Sequence, residues 1–207
     1  MKGNPIHQIE TAYVDAQTLL SLLSEYRNPR DWISRQIKKG ELLHLKNGLY
    51  FITAKTSELL PPQLANILYG PSYVSLQWAL SFYGLLPERA AIITSVTPRR
   101  NKEFRTPLGT FTYRYLNQDR YSLAFTQMGD GNGKGHFLIA TPEKAVVDYV
   151  HFFCSGREPQ ALLRELIDHH RFTIEDLKNL DNSLVQAISM KYGSKAIHTF
   201  TKTLAFL

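Results

Sequence analysis

One cysteine, Cys154, stands in 207 residues. A lone thiol excludes an internal disulfide framework and any zinc cluster built on several thiolates. Long apolar runs are missing too. Residues 59–87 carry no Asp, Glu, Lys or Arg, a length that could span a bilayer. Pro61, Pro62, Gln63, Asn66, Gly70, Pro71, Ser72, Gln77 and Ser81 interrupt that stretch, which therefore reads as a connector followed by a buried helix. Pro5, His7, Gln8 and Glu10 stand where an export signal needs an apolar segment. The expectation is a cytoplasmic chain with no membrane partner.

Recognised catalytic and ligand-binding patterns are equally scarce. The run Gly129-Asp130-Gly131-Asn132-Gly133-Lys134-Gly135 fails as a phosphate loop, because Gly135 follows Lys134 where Ser or Thr would reach magnesium. It fails as an EF-hand as well, with Lys134 and Thr141 at its fifth and twelfth positions. It reads as a strand connector. The seven histidines show no metal spacing, and His169 and His170 would point about 100° apart on a helix. Glu143 suits a helix start, Lys144 and Asp148 form an i,i+4 ion pair, and Cys154 reads as a packed thiol. Neither an enzyme nor a cofactor or metal site is expected.

What is present is apolar surface and unevenly spread charge. Hydrophobic residues make up 43%, with eleven Phe and eleven Tyr, enough for a core. The net charge is +6. Residues 27–46 hold Arg27, Arg30, Arg35, Lys38, Lys39 and Lys46 against Asp31 and Glu41. Residues 98–120 hold Arg99, Arg100, Lys102, Arg105, Arg114 and Arg120 against Glu103 and Asp119. Each window is thus net +4, and the remainder of the chain is net negative. Such clustering fits an electrostatic footprint for a polyanion. The alternative is a pair of solvated faces.

The local pattern around the first window is informative. Asp15 is a candidate N-cap for a helix to about Tyr26, with Leu19, Leu20, Leu22 and Leu23 as its stripe. Pro29 suits the first turn of a second helix, which Gly40 stops. On that helix Trp32, Ile33, Gln36 and Ile37 share an arc of about 140°. Two apolar runs flank Asn47-Gly48, the pattern of a hairpin with a primed turn and positive φ at both central residues. Helix, turn, helix, basic hairpin outlines a winged helix-turn-helix, although a first helix would have to come from residues 4–14 or be missing. In such a domain Ser34, Arg35 and Lys38 face base edges or nearby phosphates. Arg27, Arg30, Lys39, Lys46 and Asn47 lie against the backbone. Arg99, Arg100, Lys102 and Arg105 form a second basic patch. A winged helix used as a scaffold for protein or RNA contacts is the alternative.

Beyond a linker at Thr53–Pro62 the pattern predicts a helix over Tyr73–Tyr83 ending at Gly84. Strands follow at Ala91–Val96, Thr110–Tyr115, Tyr121–Met128 and His136–Ala140. Thr141 then caps a helix opened by Pro142 and Glu143, and further helices span 159–170, 183–191 and 194–205, with Thr173 and Asp176 opening a short one. The fold class is α+β: residues 1–57 a winged helix, and residues 58–207 a mixed domain with its sheet in 88–140 and helices in 141–207.

Several segments resemble the AbiEi family, antitoxins of type IV toxin–antitoxin systems. Pro71-Ser72-Tyr73-Val74-Ser75-Leu76 with Ala79-Leu80-Ser81-Phe82-Tyr83-Gly84-Leu85-Leu86-Pro87-Glu88 is similar to its signature. Thr94-Ser95-Val96-Thr97 and Phe104–Tyr113 continue it in order, and Pro142-Glu143-Lys144-Ala145 resembles its later helix start. Lys39-Gly40-Glu41-Leu42 with Asn47-Gly48-Leu49-Tyr50 resembles its wing. The match covers roughly residues 15–150, departing at Gln77-Trp78; residues 156–207 match only in being helical. The resemblance implies a transcriptional autorepressor whose second domain counteracts a nucleotidyltransferase-like toxin without a stable complex. Two copies on an inverted repeat of operator DNA would suit a helix-turn-helix protein.

Overall fold

The computed structural model describes residues 4–129 and 135–207, so most of the glycine-rich connector lies outside the described residues. The chain is mixed α+β and divides into two units, one ending at Leu60, the other comprising Pro61–Gly129 and His136–Leu207. Among the described residues no helix is long and apolar enough to cross a membrane.

The first unit opens with a 3-10 turn, Pro5–Gln8, capped by the Asn4 side chain. Strand β1 (Tyr13–Asp15), helix α1 (Ala16–Leu22), helix α2 (Pro29–Lys38) and a hairpin of β2 (Leu42–Lys46) and β3 (Leu49–Ile52) follow. The three strands form an antiparallel sheet in the order β1-β3-β2. The segment before α1 thus supplies one 3-10 turn and an edge strand instead of a full helix. Ile6 and Ile9 are nevertheless buried with Val14, Leu19, Leu23, Trp32, Ile33, Leu42 and Ile52. Asp15 caps α1 as expected: its carboxylate accepts from the N–H groups of Gln17 and Thr18 and from the Thr18 hydroxyl. Those Thr18 bonds hold its carboxyl below the ordinary range. Helix α1 stops at Leu22 and not near Tyr26, because the apolar stripe ends with buried Leu23 and the polar Ser24-Glu25 pair offers nothing to bury.

The hairpin turn differs from the primed form. Gly48 alone has positive φ, +78°, and a bulge lies between His44 and Lys46. One left-handed residue suffices when the bulge restores the strand twist. A Cβ on Gly48 would meet no atom within 4 Å, so its left-handed backbone is the only obstacle to substitution. Gly48→Ala is expected to cost about 1 kcal/mol in urea unfolding. A neutral result would mean that the turn changes form.

The second unit carries helix α3 (Pro61–Leu68), strand β4 (Tyr73–Val74) and helix α4 (Leu76–Phe82). Next come β5 (Ile93–Thr97), β6 (Lys102–Thr106), β7 (Gly109–Tyr115), a short α5 (Gln118–Tyr121), β8 (Phe125–Gly129) and β9 (His136–Ala140). Its sheet has the order β6-β7-β5-β4-β9-β8, with β4 parallel to β9 and β5 parallel to β7. The helix expected over Tyr73–Tyr83 is instead a buried strand and a shorter helix. Short apolar runs do not distinguish the two states, and Tyr73 and Val74 fill the middle of the sheet. Leu76, at φ +58°, turns the chain from one into the other. Helix α3 replaces part of the expected connector, with Pro61 in its first turn and Leu64, Ala65 and Leu68 buried. The predicted strand at Tyr121–Met128 begins only at Phe125, because Asn117 caps α5 over its first residues.

From Thr141, whose hydroxyl accepts the Lys144 N–H, the chain is helical. The elements are α6 (Pro142–Phe153), α7 (Pro159–Arg164) continuing as a π turn (Glu165–His169), α8 (Ile174–Lys178), α9 (Asn182–Tyr192) and α10 (Lys195–Ala205). The ion pair foreseen between Lys144 and Asp148 is present, but both side chains are 0% exposed. The Lys144 ammonium donates to Asp148 Oδ1 at 2.8 Å, to the Arg120 carbonyl at 2.8 Å and to the Tyr192 hydroxyl. Asp148 also accepts from Tyr192, from Tyr73 at 3.0 Å and from Ser75 at 2.7 Å. Burial is the main influence on Lys144 and lowers its pKa, opposed by the charge of Asp148. Residues 73–75 and 144–148, far apart in sequence, therefore meet in one buried network.

Candidate nucleic-acid interface

Helix α2 sorts its residues by period. Trp32, Ile33 and Gln36 are buried, and Ile37 is partly buried against the same core. The Trp32 and Tyr26 rings pack edge to face with centroids 5.8 Å apart. These contacts fix the rotation of the helix about its axis. Arg30, Ser34, Arg35, Lys38 and Lys39 are consequently exposed, with Arg27 in the turn before it. None of these cations makes an ion pair with another described residue. Asp31 lies in the first turn, where it complements the helix dipole.

The hairpin adds Lys46, half-buried, and Asn47, exposed at the turn. It also brings two residues that sequence reasoning missed. His44 and Tyr50 pair directly across β2 and β3, and their rings stack at 5.1 Å with planes 25° apart. They continue the sheet face that carries Leu42 and Ile52 into the core, displaced toward the turn. The signal was available only through the register, which sets His44 opposite Tyr50. An exposed imidazole on an aromatic ring is a flat surface for sugar or base contact.

In the second unit the four residues of the expected basic patch do not share one face. Arg99 and Arg100 occupy the turn between β5 and β6, and strand alternation separates Lys102 from Arg105. Arg99 lies over the Tyr69 ring at 5.9 Å and Lys102 over Phe104 at 5.5 Å, with Tyr69 and Phe104 themselves in contact. Arg105 points the other way and its guanidinium binds Glu103. Strand β6 escaped the sequence reading because Lys-Glu-Phe-Arg-Thr is a charged edge strand, paired only to β7. Charged edges discourage pairing with other chains and weaken the strand signal. Trp78 lies on the wall of an open groove of about 900 Å³, where Trp78 and Phe82 stack at 5.5 Å.

No family model matches the chain, and no curated protein is similar to it at a significant level.

Proposed function

We propose that the chain is a DNA-binding transcriptional repressor of the AbiEi antitoxin type, with the first unit as a winged helix. The observation that carries this reading is the exposed arc of α2. Arg30, Ser34, Arg35 and Lys38 face solvent without ion-pair partners among the described residues, opposite a buried arc of Trp32, Ile33 and Gln36. A helix held this way, followed by a basic hairpin, is suited to the major groove with the hairpin tip against the phosphates. Arg35 is the candidate for bidentate contact to guanine, and Ser34 and Lys38 contact neighbouring edges or phosphates. Arg27, Arg30, Lys39 and Lys46 neutralise phosphate, and His44 with Tyr50 packs against the sugar.

The antitoxin part of the proposal rests on the resemblance of residues 71–150. A nucleotidyltransferase-like toxin would be its genetic partner, and two copies on an inverted repeat would match the symmetry of a helix-turn-helix operator. The Lys144–Asp148 network supports the architecture of that domain and not a reaction, since both groups are closed to solvent.

A gel shift of the chain on its own upstream DNA, with random DNA as competitor, tests the reading. With about six phosphates neutralised, log affinity falls against log salt with a slope near about −5. A flat salt response, or binding no tighter than to random DNA, would turn the assignment toward a protein- or RNA-interaction module.

A further inference from the structure

The helical backbone is irregular at one point. Helix α7 continues through Glu165–His169 as a π turn, closed by the His170 N–H donating to the Glu165 carbonyl at 3.1 Å. In an α-helix, residues five apart point about 140° away from each other. The wider π turn brings them to one side, and His170 Nε2 lies 3.8 Å from Glu165 Oε1. Cys154, at the C-terminal end of α6, is the third member. Ligand atoms of Cys154, Glu165 and His170 all lie within 4.8 Å of one another.

We infer that Cys154, Glu165 and His170 form a binding site for a divalent transition metal of the zinc type. The donor set argues for that class: thiolate, imidazole and carboxylate together suit zinc, whereas magnesium and calcium prefer oxygen alone. Bonds of about 2.0–2.3 Å at tetrahedral angles hold ligand atoms about 3.3–3.7 Å apart. The His170–Glu165 pair, at 3.8 Å, is close to that spacing, and Cys154 lies within 4.8 Å of both.

The surroundings orient these groups as outer partners orient metal ligands. The Tyr149 hydroxyl is 3.0 Å from His170 Nδ1, which leaves Nε2 toward Glu165. The Glu165 carboxylate accepts the backbone N–H groups of Ser155, at 3.0 Å, and Gly156, at 2.7 Å. Gly156 is required for this approach, since a Cβ there would meet the Leu162 backbone at 2.6 Å. Arg171, directly after His170, is held at φ +61°, an uncommon conformation for a residue with a side chain.

Burial, then the charge of Glu165, pushes the Cys154 thiol up to about 12, so without metal it carries its proton. Binding exchanges that proton for the metal: the S–H bond breaks, the sulfur pair bonds to the ion and the proton leaves to solvent.

The test uses the full chain, stripped with a chelator and titrated with Co²⁺ as a spectroscopic probe. One equivalent is expected to produce a thiolate-to-cobalt charge-transfer band that Zn²⁺ abolishes and Mg²⁺ does not. Cys154→Ser should lose the band, and Glu165→Gln or His170→Gln should weaken Co²⁺ binding at least about tenfold. In the unaltered chain, Zn²⁺ should slow iodoacetamide alkylation of Cys154 at least about tenfold. The proposal fails if no band forms and zinc leaves alkylation unchanged. It fails equally if the band survives both Glu165→Gln and His170→Gln, which would assign cobalt to the thiol alone.

Discussion

Asp148→Ala is expected to destabilise the chain by about 3–5 kcal/mol in urea unfolding. The carboxylate is the common acceptor for Lys144, Tyr73, Ser75 and Tyr192, all enclosed with it. Its removal leaves a buried ammonium without its counter-ion and takes the acceptor from three hydroxyls at once. Lys144→Met should cost less, because Asp148 keeps three hydroxyl donors to satisfy its charge. The loss in Asp148→Ala also depends on pH in a definite direction. Burial already lowers Lys144 from its ordinary 10.5, and loss of the neighbouring charge lowers it further. Between that depressed native value and 10.5 the unfolded chain holds a proton that the native chain has released, so stability rises with pH across that window. The deficit of Asp148→Ala should therefore be largest at neutral pH and shrink on the alkaline side. A variant within about 1 kcal/mol of the parent at neutral pH would mean that water reaches the site and replaces the network.

Arg35→Ala/Lys38→Ala is expected to weaken binding to the chain's own upstream DNA roughly 100-fold at moderate salt. A bidentate base contact contributes about 1–3 kcal/mol of discrimination, and each lost phosphate contact reduces the salt slope by about one. Both residues are exposed and their side chains make no hydrogen bond or ion pair among the described residues, so the unfolding free energy should move by no more than about 0.5 kcal/mol. This separates a lost contact from a lost fold. Arg35→Lys adds a finer test. It keeps the charge but not the planar fork, so affinity for random DNA should hold while preference for the operator falls. Unchanged operator binding in the double variant would remove α2 from the interface, leaving the hairpin or a different partner.

The two predictions draw on different kinds of information. The arc of α2 was legible in the sequence, because Trp32, Ile33 and Gln36 recur at the helical period and leave Arg35 and Lys38 on the other side. Pro29, Gly40, Asp15 and Thr141 acted at the positions their chemistry implies, since a missing N–H, a left-handed φ or a short side-chain acceptor has its effect within one turn. The β6 strand, the strand half of the Tyr73–Tyr83 run and the pairing of His44 with Tyr50 were not legible. Each depends on a neighbour brought in from elsewhere in the chain.

By itself the sequence determined the α+β class, the asymmetric charge, the caps at Asp15, Pro29, Gly40 and Thr141 and the exposed face of α2, all properties of local period and local hydrogen bonding. Only the tertiary structure decided that Lys144 and Asp148 are enclosed with Tyr73, Ser75 and Tyr192. The same holds for the split of the second basic patch by strand alternation, and for the meeting of Cys154 with Glu165 and His170 across a π turn. The physical reason is that each outcome needs a segment from elsewhere in the chain: Tyr73, Ser75 and Tyr192 to enclose the ion pair, β7 to hold residues 102–106 as a strand, and the end of α6 to bring Cys154 to the π turn.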